Sequence, residues 1–310
     1  GGGGPAAGDG TSSSRDQVIP SEHFYGEYHG HRVGHIAIAQ RELRRMGKKR
    51  LIWLAGDSTL DNKFWLLGGA RSRVPAVNGY EKFLSPPSSV PDVAYWVNAA
   101  LAHRGGGGVA CVNAACEEST LGARAAGKRL LPQDCAIRDG LGEDDVLVTS
   151  VGGNDIALAP SLMTILSIIP LVTVCSDESI RSGTAWGLGH FIRLFRDATQ
   201  GYIEAMVAKQ RPRRVCVCML YYLDEQAGGS WADTTLRLLG YNKNPARLKL
   251  LIRTCFERAT SEVAVEGVEV VPVPLFEALD GSRTGDYVQR VEPSAEGGRR
   301  LAEVLVEGAL

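Results

Sequence analysis

Two short polar stretches each follow a run of apolar residues and carry side chains that suit acyl-transfer chemistry. The letters GDS at 56–58 follow the apolar run 51–55, and GGND at 152–155 follows the run 146–151. The hydroxyl of Ser58 is a nucleophile, and its own N–H can point at a developing oxyanion. Gly152 would let the backbone bend sharply, and the Asn154 amide would add a neutral donor. The pair predicts half of an acyl-transfer site, although Ser58 could also simply cap the next helix.

Alternating strand and helix patterns must position these stretches. The strands are predicted at 51–55, 109–113, 146–151, 214–222 and 268–273. The helices are predicted at about 35–48, 92–103, 119–131, 160–174, 188–209, 245–265 and from about 294. The strands are apolar nearly throughout, which is typical of a parallel sheet buried on both faces by helices. Sites in such sheets gather outside the carboxyl ends of the strands, so we expect Ser58 and Asn154 at one edge of a three-layer α/β/α domain.

Composition limits the classes of protein and partner. The 310 residues are 44% hydrophobic and 22% charged with a net charge of -1, typical of a globular protein and not of one that binds nucleic acid. Residues 1–20 are rich in Gly, Ser and Pro and are expected to be disordered, leaving 21–310 as one domain. Seven cysteines show no close CxxC pair, and Cys216 and Cys218 face the same side of a strand. We expect mostly buried thiols of an intracellular protein, so the cytoplasm is the favoured location.

The stretch 156–175 contains 20 residues without a charge, about the length of a bilayer-spanning helix. It follows GGND directly, and the strands on both sides of it belong to the same predicted sheet. One span would separate those strands by a membrane. We therefore predict no integral membrane span, and a helical cap that lines an acyl-sized groove beside the site.

Two blocks of sequence carry a resemblance to a known family, the SGNH or GDSL hydrolases. IWLAGDSTLDN resembles their first block and VTSVGGNDI their third, and the similarity extends over about 50–306. The resemblance implies Ser58 as nucleophile and Asn154 in the oxyanion site, with Asp57 and Gly152 beside them. It also implies a flavodoxin-like, five-stranded parallel sheet in the order 2-1-3-4-5, no obligatory cofactor, and a small ester, acyl or acetyl substrate.

The other two blocks depart from the family pattern. In VNAACEESTLG, Ala115 and the pair Glu117-Glu118 stand where glycines are usual. The N–H of Ala115 would still serve the oxyanion, and both glutamates are expected in solvent or in a first helical turn. In DYVQRVEPSAEGG, Gln289 and Glu292 replace the usual Asp and His.

Three hypotheses address the missing histidine. Glu292 could act as base with the Gln289 amide donating to it, provided that burial raises its pKa from about 4.3. Alternatively, the site only binds, and Glu292 caps the last helix. Thirdly, the base could come from the histidines of YHGHRVGH, at positions 29, 31 and 35, which have no spacing for a metal site. The favoured prediction is a serine ester hydrolase, the alternative is an inactive binding protein, and the oligomeric state stays open.

Overall fold

A five-stranded parallel sheet forms the centre of the protein. The computed structural model describes residues 17–67, 73–124 and 129–310. The strands are β1 (Arg50–Gly56), β2 (Val109–Asn113), β3 (Val146–Ser150), β4 (Arg214–Met219) and β5 (Glu269–Pro274). They lie in the order β2-β1-β3-β4-β5, with every neighbouring pair parallel. The predicted order 2-1-3-4-5 is confirmed.

Helices and short turns connect these strands. The α-helices are α1 (Ser21–Phe24), α2 (Val33–Arg45), α3 (Val93–His103), α4 (Pro132–Gly140), α5 (Gly153–Ala157), α6 (Leu162–Thr173), α7 (Asp177–Ser182), α8 (Leu188–Ile192), α9 (Thr199–Met206), α10 (Asp233–Leu238), α11 (Pro245–Arg258) and α12 (Ala295–Ala309). A π-helical stretch, Arg193–Ala198, joins α8 to α9. Single 3₁₀ turns lie at Lys63–Leu66, Tyr80–Lys82, Thr260–Glu262, Leu275–Glu277 and Thr284–Asp286.

Helices bury both faces of the sheet because successive strand residues point to opposite sides. In β1, Leu51 and Trp53 pack in one apolar cluster with α2, α4 and α9. Ile52 and Leu54 pack in another with α3 and α12. The predicted three-layer α/β/α architecture is confirmed. Cys216 and Cys218 both lie in the second cluster, on one face of β4 as expected.

A third apolar cluster joins α6, α8, α10 and α11 beyond the sheet. Its members include Leu171 of α6, Phe191 of α8, Leu236 of α10 and Leu251 of α11. We call these four helices the cap. In the ranges that the structure describes, no helix is long and apolar enough to cross a membrane. The stretch 156–175 instead contributes α6 to the cap.

Two predictions of local structure differ from the fold. The prediction of a helix at 119–131 is wrong for the residues of this stretch that the structure describes. The chain turns there, and α4 begins only at Pro132. The reason is that the N–H groups of Leu121 and Gly122 donate to the carboxylate of Asp155, at 2.7 Å each, instead of to helical carbonyls.

The N-terminal boundary also differs. Residues 1–16 of the predicted disordered segment lie outside the described residues. Ile19–Pro20, however, pair with Leu84–Ser85 as a short parallel ladder, and Ile19 is buried in the first apolar cluster. The packed chain therefore begins before the expected boundary at residue 20.

Candidate active site

The turn after β1 presents Ser58 at the carboxyl edge of the sheet. Gly56 has a φ of 145°, and a Cβ there would overlap the carbonyl oxygen of Ser150, so the position requires glycine. The Asp57 N–H donates to that same carbonyl at 3.1 Å, which ties the turn to β3. Ser58 is 7% exposed and lines a cavity under the cap. Its N–H donates to no group among the described residues.

Asn154 reaches the same cavity from the end of β3. Gly152 has a φ of 98°, which glycine adopts without strain, and α5 begins directly after it. Asn154 is buried, and its Nδ2 donates to the carbonyl oxygen of Ser119 at 3.0 Å. An amide nitrogen carries two hydrogens, so one remains for a ligand. Neighbouring strands thus bring Ser58 and Asn154 together at one edge, as expected.

Glu292 approaches Ser58 from the loop before α12. It lies in the short strand Glu292–Pro293, which pairs with Tyr287–Val288, and its buried side chain lines the cavity. The Ser58 hydroxyl lies close enough to the Glu292 carboxyl to lower its pKa, while the Oε2 of Glu292 has no hydrogen-bond partner among the described residues.

The environment of Glu292 changes its acidity. Burial raises the pKa of Glu292 to about 8. The nearby Ser58 hydroxyl opposes this shift, and the negative charges of Asp57 and Asp61 add to it. A carboxyl group with such a pKa can take and return a proton near neutral pH.

Gln289 does not assist Glu292. Its Oε1 accepts from the Trp231 N–H at 3.1 Å, and its carbonyl oxygen accepts from the Ser230 hydroxyl at 2.5 Å. Gln289 and Arg290 have φ values of 51° and 66°, so the chain reverses here and turns the Gln289 side chain toward the 230–231 loop. The expected donation from Gln289 to Glu292 is absent from the contacts of the described residues.

Ala115 is buried, but its N–H is already used. It donates to the Oδ1 of Asn113 at 3.0 Å, so it is not free for an oxyanion. The following residues also differ from expectation, because Glu117 is buried and only Glu118 is exposed. Glu118 has a φ of 60°, and its N–H has no acceptor among the described residues.

Four buried carboxyl groups form an acidic cluster around this edge: Asp57, Asp61, Glu117 and Glu292. Burial raises the pKa of Asp57 to about 6 and that of Glu117 to about 9, the latter aided by the charge of Glu292. Glu117 accepts from the Trp65 Nε1 at 3.2 Å.

One lysine is paired inside the acidic cluster. The Nζ of Lys63 lies 2.5 Å from Asp61 Oδ1, and both side chains are wholly buried. Asp61 Oδ2 accepts from the N–H groups of Gly30 and Glu117, at 2.9 and 2.8 Å. Sequence reasoning missed Asp61 and Lys63, and it expected Glu117 in solvent or in a first helical turn. The one available signal was the pair of opposite charges, Asp61 and Lys63, at the end of the first block.

Arg124 is a further residue that sequence reasoning missed. Its buried guanidinium donates to the carbonyl oxygen of Gly56 at 3.1 Å and to Asp134 at 3.2 Å. It also lies over the ring of Tyr202, 4.9 Å from the centroid. Arg124 therefore holds the residue that begins the Ser58 turn, and no pattern in the sequence marked it.

The histidines lie outside the cavity. His31 is buried, with Nδ1 at 2.7 Å from the Phe24 carbonyl oxygen, and burial lowers its pKa. His29 Nδ1 lies 3.2 Å from the Glu117 carbonyl oxygen, and His35 stacks on Phe24. Of the six histidines, all within the described ranges, none lines the Ser58 cavity. The described residues also hold no group of three or more metal-ligating side chains arranged for a metal ion.

The cavity has a polar end and an apolar body. Its volume is about 130 Å³. Asp57, Ser58, Asn154 and Glu292 line the polar end, whereas the cap, the π-helical stretch and residues at the end of β4 supply most of the rest. The apolar lining includes Ile168, Leu171, Phe191, Phe195, Leu236 and Leu251. The expected helical cap beside the site is confirmed.

No family model and no curated protein matches the sequence. Among solved structures, the chain is similar to a lipase from a goat rumen metagenome, with 12% identity, 83% of this chain and 96% of that chain covered, and a TM-score of 0.44. A lipase/acylhydrolase from Enterococcus faecalis is 14% identical, with 83% of this chain and 94% of that chain covered and a TM-score of 0.40. A carbohydrate esterase family 3 protein from Talaromyces cellulolyticus is 12% identical, with 83% of this chain and 94% of that chain covered and a TM-score of 0.42.

Proposed function

We propose that the protein is a serine ester hydrolase in which Ser58 is the nucleophile and Glu292 is the base. One observation carries the proposal: Ser58 and the buried carboxyl of Glu292 line the polar end of the same apolar cavity, close enough for the Ser58 hydroxyl to lower the pKa of Glu292. A serine nucleophile is activated by an adjacent base. A base whose pKa is about 8 is better matched to neutral or mildly basic conditions than a solvated carboxylate.

The proposed reaction has two steps. In the first, Ser58 Oγ attacks the ester carbonyl carbon while its proton passes to Glu292, and collapse of the tetrahedral intermediate expels the alkoxide, which takes that proton. In the second, Glu292 removes a proton from water, whose oxygen attacks the acyl-serine. Glu292 then returns the proton to Ser58, releasing a carboxylic acid.

Three hydrogen-bond donors are proposed for the oxyanion: the N–H of Ser58 itself and two groups beside it. The Ser58 N–H and the second hydrogen of Asn154 Nδ2 are both available. The Glu118 N–H is the third candidate, because its turn is tied to Gly56 by the Cys116 N–H at 3.0 Å and the Ser119 hydroxyl at 3.1 Å. It replaces Ala115 in this role.

The cavity supports an apolar acyl group as the recognised part of the substrate. Apart from its polar end, its walls are mostly aliphatic and aromatic side chains, from the cap and from residues at and after the end of β4 such as Met219 and Tyr221. A cavity of about 150 Å³ accommodates a benzene-sized molecule, so a volume near 130 Å³ suits an acyl chain of roughly six carbons.

Hydrolysis of p-nitrophenyl hexanoate tests the proposal. The native protein should turn over this ester, and Ser58→Ala should abolish turnover. Ser150→Ala is the matched control, since Ser150 is a wholly buried serine at the end of β3 whose hydroxyl has no partner among the described residues. Equal turnover by the native protein and Ser58→Ala would reject Ser58 as nucleophile.

A binding protein is the second candidate function, and a specific observation favours it. At pH 7 most Glu292 carboxyls would be protonated, since the pKa is about 8, and a protonated carboxyl is no base. An inactive protein would still bind hexanoate or its alcohol ester in the cavity. Saturable binding by calorimetry without turnover at pH 9, where Glu292 is ionised, would support this alternative over the hydrolase.

A further inference from the structure

The polarity of α6 is reversed relative to an ordinary surface helix. A helix on a water-soluble domain places its apolar stripe toward the core and its polar side chains in solvent. In α6 the polar residues Thr164 and Ser167 are buried. Five apolar side chains are instead 40–73% exposed: Leu162, Met163, Ile165, Leu166 and Ile169. They share one side of the helix, which we call the outer face.

The inner side of α6 is fully engaged with the protein. Thr164 Oγ1 lies 3.0 Å from His190 Nε2 and 2.8 Å from Ser161 Oγ. Ile168 and Leu171 line the cavity that ends at Ser58. The contacts of the inner side therefore fix the rotation of α6 and leave its outer face exposed.

Exposed aromatic and aliphatic side chains extend the apolar surface beside α6. Trp186 is 66% exposed and precedes Gly187, which packs so closely on the Ser167 carbonyl that a Cβ would overlap it. Val174 directly follows α6 and is 79% exposed. Tryptophan is enriched where proteins meet the headgroup level of membranes.

The length and charge of this surface indicate how it would meet lipid. Twelve residues at 1.5 Å per residue give a helix of about 18 Å, too short for the roughly 30 Å hydrocarbon core. No residue from 156 to 175 is charged, so attraction to anionic headgroups is not the driving force. A helix of this kind lies in the plane of the interface with its apolar side in the acyl region.

We propose that the outer face of α6 docks on the surface of a phospholipid bilayer. A bilayer fits better than a second copy of the chain because the opposite side of the same helix lines an apolar, acyl-sized cavity. Docking would bring that cavity next to lipid acyl chains. The docking does not depend on the proposed hydrolase activity, and it is measured without turnover.

Co-sedimentation with sucrose-loaded phosphatidylcholine vesicles tests this proposal. The native protein should pellet with the vesicles, and equally so at 0.1 M and 1 M salt, because uncharged contacts are not screened. Leu166→Gln with Ile169→Gln should weaken partitioning at least ten-fold, since both side chains would otherwise leave water. Neither residue lines the cavity.

The matched control is Val18→Gln with Leu310→Gln, which also replaces two exposed apolar residues, 54% and 46% exposed, outside α6. It should pellet like the native protein. The proposal is overturned if the native protein stays in the supernatant, or if the α6 variant pellets as the native protein does. It is also overturned if the native protein stays in the supernatant and elutes as a dimer that the α6 variant breaks, because a second copy then covers the face. Thermal melting checks that each variant is folded.

Discussion

Two buried glutamates near Ser58 have raised pKa values but different contacts. The Ser58 hydroxyl lies close enough to Glu292 to lower its pKa, whereas Glu117 accepts a hydrogen bond from the Trp65 indole. At pH 8 about half of the Glu292 carboxyls would be ionised, and Glu117, with a pKa of about 9, would be mostly protonated. Only Glu292 is therefore suited to take the Ser58 proton.

Removing the charge of Asp57 should alter the pH dependence of the proposed reaction. With a pKa of about 6, Asp57 is ionised at pH 8, and its charge raises the pKa of Glu292. Asp57→Asn should therefore move the rising limb of the kcat/KM profile, half-maximal near pH 8 in the native protein, to lower pH. Profiles measured with p-nitrophenyl hexanoate check this, with Ser150→Ala as the control. An unmoved or raised midpoint would contradict the role of Glu292.

Residue types at strand ends were predictable, but hydrogen-bond partners were not. Ser58, Asn154 and Glu292 reach one cavity because two strand ends and the loop before α12 meet at the carboxyl edge. The Ala115 N–H and the Gln289 amide were assigned wrongly by analogy. The groups that bind them, Asn113 Oδ1 and the Trp231 N–H, depend on backbone geometry that sequence spacing does not reveal.

At the scale of elements, the Lys63–Asp61 pair joins three loops near the site. Lys63→Met should leave the Asp61 charge buried and unpaired, which costs about 3–5 kcal/mol in comparable cases. The free energy of unfolding, measured by urea denaturation, should fall by this order. Arg32→Gln is the control, because its partner Glu27 is also exposed and such pairs contribute at most about 1 kcal/mol. Equal losses for the two variants would contradict a buried ion pair.

The cap should determine which acyl chain the protein accepts. Ile168→Phe adds volume on the cavity side of α6, so the longest accepted chain should shorten. The ratio of kcat/KM for the octanoate and butyrate p-nitrophenyl esters should fall about ten-fold or more. Ile165→Phe places the same change on the outer face of the same helix and should leave the ratio unchanged. A ratio unaffected by Ile168→Phe would show that the acyl chain lies elsewhere.

Element types were predicted best where burial dictates them. The strand Val109–Asn113 and the helix Val93–His103 have nearly the predicted bounds, because each buries an apolar side against the sheet. The helix expected from 119 failed because Asp155, more than 30 residues later, captures its first N–H groups. Such a distant side chain leaves no periodic signal.

At the scale of the whole molecule, buried carboxyl groups link stability to pH. Burial raises the pKa of Asp57 to about 6, Asp92 to about 7, Glu292 to about 8 and Glu117 to about 9. The contribution of these groups to the free energy of unfolding is fully present at pH values below their unfolded pKa values, near 4. It is lost as the pH rises through their pKa values in the folded state. Between pH 5 and 8 the folded state binds more protons than the unfolded state.

The free energy of unfolding should therefore fall with rising pH across this window, by about 1.4 kcal/mol per pH unit for each group that differs in protonation. Urea denaturation from pH 5 to 9 measures the slope. Glu117→Gln should reduce it, because an amide does not titrate. A free energy that is constant or rises over this range would contradict the burial of these groups as carboxylic acids.

The sheet order was predictable from the whole chain, but the cavity was not. Nearly continuous apolar strands alternating with helices indicate a buried parallel sheet, and that pattern is local. The cavity instead draws on residues from 57 to 292, and only the site residues Asp57, Ser58, Asn154 and Glu292 and the stretch after Asn154 were expected there.

The pH-dependent labelling of Ser58 by a fluorophosphonate probe tests the central proposal most directly. Labelling should rise with pH to half its maximum near pH 8, and Ser58→Ala should not be labelled. Glu292→Gln should label at least about 100-fold more slowly, since general base assistance contributes about 10²–10⁴-fold. Glu117→Gln should label like the native protein, because Gln imitates the protonated Glu117. Native-like labelling of Glu292→Gln, or no labelling of the native protein at any pH, would contradict the account.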